Sequence, residues 1–196
     1  MTVTATPIGS VHNARTNTQD SDHWGDTESL ILIEPRFGGR SLTGLAEFSH
    51  VEVVFFFDRL AERDDYQQPL RPRGRADLPE VGVFADRGPR RPNRIGCTIC
   101  EIVSVRGREL RIRGLDAVDG TPVLDIKPVM RQFLPAHIRQ PEWVDRLMAE
   151  YFNSLQLAGL SPLADAGVLT TSNQPRGLRP KAARSRMDNS AGPAVA

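Results

Sequence analysis

Residues 95–114 read Ile-Gly-Cys-Thr-Ile-Cys-Glu-Ile-Val-Ser-Val-Arg-Gly-Arg-Glu-Leu-Arg-Ile-Arg-Gly. Two runs rich in β-branched residues, 95–105 and 109–114, flank Arg106-Gly107-Arg108. A glycine between two such runs marks a hairpin, because a tight turn between twisted strands needs a residue that tolerates positive φ. Working outward, the same pattern recurs. Residues 4–12 place Ala5, Ile8 and Val11 along a first strand, 28–34 form a second that Pro35 ends, and 51–57 form a buried one rich in Val and Phe. Residues 81–85 and 123–126 read as further strands, and 42–48 as a short turn of helix. Many short strands with turn signals between them predict a mainly β fold, a single barrel of short strands. A C-terminal helix is expected over 141–152, with Pro141 in its first turn and Trp143, Leu147 and Tyr151 on one face. That stripe reads as core packing rather than a ligand box.

The domain is expected over residues 4–155, followed by an extension over 156–196. From about residue 170 the chain is dominated by Ser, Asn, Pro, Gly, Ala and Arg, too poor in bulky apolar groups to fold, so a disordered tail is expected. Its Arg176, Arg179, Lys181, Arg184 and Arg186 read as a solvated basic segment rather than an arm that grips phosphates. Across the chain, 25 Lys and Arg balance 24 Asp and Glu, a net charge of +1. No global field draws this protein to a polyanion, so any such site must come from local clustering. Cys97 and Cys100 lie in an apolar run without a second half of a zinc site, and read as small buried hydrophobes. The first residues carry no basic start or apolar stretch of a leader, and the run at 51–57 is too short to span a bilayer. The expectation is a soluble, cytoplasmic protein that needs no metal.

Several chemistries lack their motifs. No G-x-G-x-x-G follows a strand, and no phosphate loop, nucleophile elbow or H-E-x-x-H is present. What stands out is Val81-Gly-Val-Phe-Ala-Asp-Arg87-Gly-Pro-Arg-Arg-Pro-Asn-Arg-Ile-Gly96, followed by Leu115-Asp-Ala-Val-Asp-Gly-Thr-Pro-Val-Leu-Asp-Ile-Lys-Pro128. Loops carrying charge, Gly and Pro bury little apolar area, so they point to a ligand. Arg87, Arg90, Arg91 and Arg94 sit in a segment stiffened by Pro89 and Pro92, which keeps their guanidinium groups apart. Planar guanidinium suits carboxylate and phosphate. Asp116 and Asp119 lie on a turn and offer carboxylates to hydroxyl or ammonium groups, while Asp125 and Lys127 share a strand face as an ordinary surface pair.

These segments resemble the TsaA-like (TrmO-type) family. The matching residues are Gly82-Val83-Phe84-Ala85, Arg87, Arg91-Pro92-Asn93, Ile95-Gly96 and the run from Leu115 to Pro128. Upstream, Pro7-Ile8-Gly9 and Gly44-Leu45 with Phe48-Ser49-His50 are similar to the family's opening segments. The likeness covers about residues 4–130. It implies a β-barrel methyltransferase that binds S-adenosylmethionine without a nucleotide fold of the Rossmann type, works as a homodimer, and methylates N6 of threonylcarbamoyladenosine beside the tRNA anticodon. The cofactor contacts it implies are Trp24 and Gly25, with His23 beside them, then Asp58, Arg59, Arg87, the Cys97 backbone, and Ala117, Val118, Asp119 and Gly120. On this reading an aromatic takes adenine, an arginine takes the methionine carboxylate, and Arg90, Arg91 and Arg94 meet RNA phosphates. His50 is the candidate proton acceptor, against the plainer account of a packed histidine beside a phenylalanine-rich strand. The family pattern departs at Arg94 and at Cys97-Thr98, where relatives carry Pro and a Leu-Ser or Met-Ser pair. A small-molecule methyltransferase and a non-catalytic S-adenosylmethionine-binding module remain open alternatives.

Overall fold

A computed structural model describes residues 2–61 and 65–153. Its core is a closed antiparallel barrel of six strands: β1 (Gly9–His12), β2 (Glu28–Ile33), β3 (His50–Phe56), β4 (Ile95–Arg106), β5 (Glu109–Arg113) and β6 (Pro122–Pro128), in the spatial order β1-β2-β5-β4-β3-β6. Closure removes both sheet edges. The strands alternate as the sequence predicts. Val11, Ile31, Ile33, Val51, Val53, Phe55, Cys100, Leu110, Ile112 and Val123 point inward and are buried. The hairpin at the centre of the sequence argument forms: Arg106 pairs with Glu109, and Gly107 takes φ of +60° at the first loop position. Gly96 has a different reason to be glycine. A Cβ there would stand 2.3 Å from the Phe55 ring, so the bulkiest core side chain occupies the space that Gly96 leaves open.

Three expectations are corrected. Residues 81–85 are not a strand. Val81 makes one isolated bridge to Leu70, and Val83–Ala85 is a 3-10 turn. Because β3 pairs directly with β4 in a closed barrel, the connection between them has no open edge to join. The first strand is shorter than read, beginning at Gly9, with Pro7 supplying no N–H to a ladder. The helix α1 spans Glu142–Met148, with Pro141 as its cap, so Tyr151 lies beyond it. Leu147 is buried as expected, whereas Trp143 is half-buried. The short turn expected near residue 45 is present as Leu45–Glu47. The extension over 156–196, expected to be disordered from about residue 170, lies outside the described residues. No helix among the described residues is long and apolar enough to cross a membrane.

Candidate functional site

Antiparallel register assigns every connection to one end of the barrel. The C-terminal ends of β1, β3 and β5 meet the N-terminal ends of β2, β4 and β6, as the pairs Leu30–His12, Glu28–Arg113, Phe56–Ile95 and Phe55–Val123 require. The β1–β2, β3–β4 and β5–β6 connections therefore open on the same end. They carry Trp24 and Gly25, then Asp58, Arg59 and Arg87, then Ala117, Val118, Asp119 and Gly120, and Cys97 stands just inside on β4. All the residues expected to hold a cofactor thus gather at one mouth. His50 does not. It begins β3 at the opposite end, about 20 Å of strand away, exposed and paired through Nδ1 with Ser49 Oγ at 2.8 Å.

At the mouth, Arg87 Nη2 donates to the Cys97 carbonyl at 2.5 Å, so this residue is addressed through its backbone. Its thiol faces out of the barrel and donates to Glu52 Oε1 at 2.8 Å. Burial pushes the thiol up to about 11, and the Glu52 carboxylate adds to the rise. Cys100, three positions on, points into the core, where burial raises its thiol further. The two cysteines occupy opposite faces of one strand, which excludes a shared disulfide or metal; Cys100 is the buried apolar filler expected, whereas Cys97 is half-buried on the outer face and bonded to Glu52. No group of metal-ligating side chains occurs among the described residues.

Behind Arg87 lies Asp116, a carboxylate that the sequence offered to a ligand and that the structure bonds to two of the protein's own hydroxyls. Asp116 Oδ1 accepts a hydrogen bond from Thr98 Oγ1 inside the barrel, and its Oδ2 accepts one from the Tyr151 hydroxyl at 2.5 Å. Burial and the adjacent Asp116 charge hold the Tyr151 hydroxyl above its ordinary range, so it remains a donor, while Arg73 and Arg87 pull weakly the other way. Asp116 therefore couples β4, the β5–β6 bend and the segment after α1. Tyr151 carried only a signal for core packing in the sequence; the partner of its hydroxyl comes from a residue 35 positions away.

The acidic bend is held by main-chain bonds. Asp119 N–H donates to Arg15 O at 2.7 Å, and Gly120 N–H to Val11 O at 2.8 Å. Gly120 takes φ of +82°, and a Cβ there would stand 3.0 Å from Arg59 Nη2, which donates to Asp119 O at 2.5 Å. The glycine thus admits the guanidinium. Asp119 Oδ1 accepts from Asn13 N–H at 3.2 Å and lies 3.9 Å from His12 Nδ1. Asn13 further ties the bend down, its Nδ2 donating to Ala117 O and to Ser29 Oγ, each at 2.9 Å. Asp58 is exposed beside Arg59 and bonds Phe56 O through its N–H.

Trp24 departs from its expected role. It is 3% exposed, with the Arg15 guanidinium 4.0 Å above its ring, so this indole is packed inside the protein rather than presenting an open face to a ligand. Arg15 is itself fixed by Asp20 and by the carbonyls of Asp22 and His23. The C-terminal segment runs alongside: His23 N–H donates to Glu150 O at 2.9 Å and Trp24 N–H to Tyr151 O at 2.8 Å. Gly25 is required by that crossing, since a Cβ would fall 1.8 Å from Phe152 O. Arg73, from the long β3–β4 connection, completes the closure through both Asp22 oxygens at 2.9 Å and lies over the Tyr151 ring at 5.6 Å.

The three arginines expected to meet phosphates are not equivalent. Arg91 Nη1 donates to Asp86 O at 3.3 Å and Arg94 Nη1 to Leu60 O at 2.6 Å, with Arg94 stacked 4.7 Å over Phe56. Both are half-buried and brace the connection. Arg90 is exposed.

Comparison with known proteins agrees with the barrel fold. A family model described as the tRNA-methyltransferase O N-terminal domain matches residues 8–133, from the first strand to just past β6. The chain belongs to this family. A probable S-adenosyl-L-methionine-binding protein of Pyrococcus abyssi is 34% identical over 131 residues, covering 65% of this chain and 68% of its own. The tRNA (adenine(37)-N6)-methyltransferase of Mus musculus is 42% identical over 93 residues, covering 47% of this chain but only 21% of its own. The crystal structure of TrmO from Pseudomonas aeruginosa superposes with a TM-score of 0.58 at 28% identity, covering 71% of this chain and 61% of that one. The chain thus spans a small part of the mouse protein and less than two thirds of the Pseudomonas one. Tyr151, Phe152 and α1 lie beyond the matched family span.

Proposed function

We propose that this protein is an S-adenosylmethionine-dependent methyltransferase that acts on tRNA, at N6 of threonylcarbamoyladenosine beside the anticodon, as a homodimer. The observation that carries the reading is the convergence of Arg59, Arg87, the Cys97 carbonyl, Asp119 and Gly120 at one barrel mouth. The donor set fits the cofactor. Two guanidinium groups suit its carboxylate, and Asp119 suits its ammonium or a ribose hydroxyl. When bound, S-adenosylmethionine supplies an electrophilic methyl on a sulfonium leaving group, so the chain's task is alignment and exclusion of water. Trp24 beneath Arg15, with Tyr151 bonded to Asp116, closes the side of the mouth against solvent. Arg87 and Arg59, each anchored to a carbonyl of the site, hold their charges ready without a search through rotamers. His50 plays no part in this arrangement within one chain. Pairing of two chains is supported by Ile95, Ile99 and Val103, which alternate along the outer face of β4 and are each more than 40% exposed.

Calorimetry with S-adenosylmethionine followed by labelled-methyl transfer to total tRNA tests the reading. Binding and transfer are expected, and Arg87→Ala should abolish binding while leaving the unfolding transition in place. Binding without transfer to tRNA would leave a binding module or a small-molecule enzyme; no binding would end the proposal. Sedimentation gives the mass of the assembly, and a monomer would remove the homodimer.

A further inference from the structure

Three residues before Arg87, the Phe84 ring stands 81% exposed. Its orientation is imposed locally. The 3-10 turn Val83–Ala85, closed by Ala85 N–H to Gly82 O at 2.8 Å, buries Val83 and turns its neighbour outward. The turn belongs to a braced loop. Asp86 Oδ1 accepts from Arg87 N–H at 2.8 Å, Asp86 O accepts from Arg91 Nη1, and Arg87 Nη2 pins the loop to Cys97 O. Three residues of chain reach at most about 11 Å, so the backbone of Phe84 lies beside the Arg87–Cys97 contact at the mouth.

The surroundings are cationic. Residues 84–94 hold Arg87, Arg90, Arg91 and Arg94 against a single acid, Asp86. Arg90 is exposed, and the guanidinium bonds described for Arg87 and Arg91 run to carbonyl oxygens rather than to carboxylates. An exposed aromatic face within a basic loop matches a nucleotide, which presents a π face and a phosphate together. An apolar protein partner would have to strip water from these arginines to reach the ring, at a cost that stacking does not repay.

We propose that Phe84 is the platform on which the acceptor base of the RNA stacks before methyl transfer. This inference rests on the reading of the protein as an RNA methyltransferase. Phe84 is then a binding residue for the acceptor, with no part in holding the cofactor.

The experiment compares wild type with Phe84→Ala, Phe84→Leu and Phe84→Trp. For each, calorimetry gives affinity for S-adenosylmethionine, single-turnover methyl transfer gives the half-saturating RNA concentration, and sedimentation gives the mass. Phe84→Ala should keep cofactor affinity and mass and raise the half-saturating RNA concentration by roughly five- to one-hundred-fold. Leucine should resemble alanine, because it has no π face, and tryptophan should restore wild-type behaviour. Unchanged RNA saturation in Phe84→Ala overturns the inference, as does full rescue by leucine. Loss of cofactor affinity would assign the ring to the cofactor, and a halved mass would assign it to a second copy; either overturns it. A wild type that binds S-adenosylmethionine but methylates no RNA removes the functional reading itself, and the inference with it.

Discussion

Tyr151→Phe removes one oxygen atom and isolates the Asp116 link. The Tyr151 hydroxyl donates to Asp116 Oδ2 at 2.5 Å, and Thr98 donates to the other carboxylate oxygen. A hydrogen bond to a charged acceptor contributes about 1.5–3 kcal/mol net, and Tyr151 is only part-buried, so the lower half of that range, roughly 2 kcal/mol, is expected. The ring, its stacking on Phe152 at 4.9 Å and the bond from Trp24 N–H to Tyr151 O all survive the substitution. For a domain of this size the loss corresponds to a fall in Tm of about 4–8 °C. Urea unfolding of Tyr151→Phe, Thr98→Val and the double variant gives the coupling as well, since both donors share one carboxylate. An interaction term of at least about 0.5 kcal/mol is expected for such neighbours. A loss below about 0.5 kcal/mol for Tyr151→Phe, within the range of an ordinary surface change, or strict additivity with Thr98→Val, would refute the claim that Asp116 ties the post-helix segment to the barrel.

Gly25→Ala should displace the C-terminal segment, because the Phe152 carbonyl would sit 1.8 Å from the new Cβ. Proteolysis after α1 should accelerate, and an unchanged cleavage rate would show that the crossing is absent in solution. The Cys97 thiol, at about 11 against an ordinary 9.0, is protonated in the folded chain throughout the neutral range. Its raised value means that its contribution to stability is complete below about pH 9 and is lost as the pH climbs to about 11. Since Glu52 adds to the rise, Glu52→Gln should lower the thiol's value and speed its alkylation near pH 9; a slower rate would contradict the assigned cause.

The barrel was legible because its signals are local. Alternation along 95–114 and the glycine at 107 need no distant partner to be read, and β3 announces itself through Val51, Val53 and Phe55. The strand expected at 81–85 failed for a global reason: β-branched residues there have the right preference, but closure of the barrel leaves them no ladder. In the site, Arg87, Cys97, Arg59 and the bend at 117–120 were legible through motif likeness, and the register brings them to one mouth. Trp24 was read as a cofactor contact through the family resemblance alone; Arg15, nine positions upstream, covers its ring. Tyr151 and Arg73 were missed, and Asp116 was offered to a ligand rather than to Thr98 and Tyr151, because their partners are set by long-range folding. Arg91 and Arg94 were assigned to phosphates by charge alone, whereas their half-burial gives them carbonyl partners within the loop.

The crossing of residues 150–152 over Trp24 and Gly25 has a practical consequence for anyone shortening this chain. A version cut at residue 140 would retain every barrel strand and the whole span recognised as the family domain, and by the usual criteria of domain trimming it would look intact. It would nonetheless lack the two carbonyls that anchor the entrance loop and the hydroxyl that reaches Asp116. Well-behaved protein with a slack entrance is the outcome to guard against, and boundary choice should follow those three bonds rather than the edge of the conserved module.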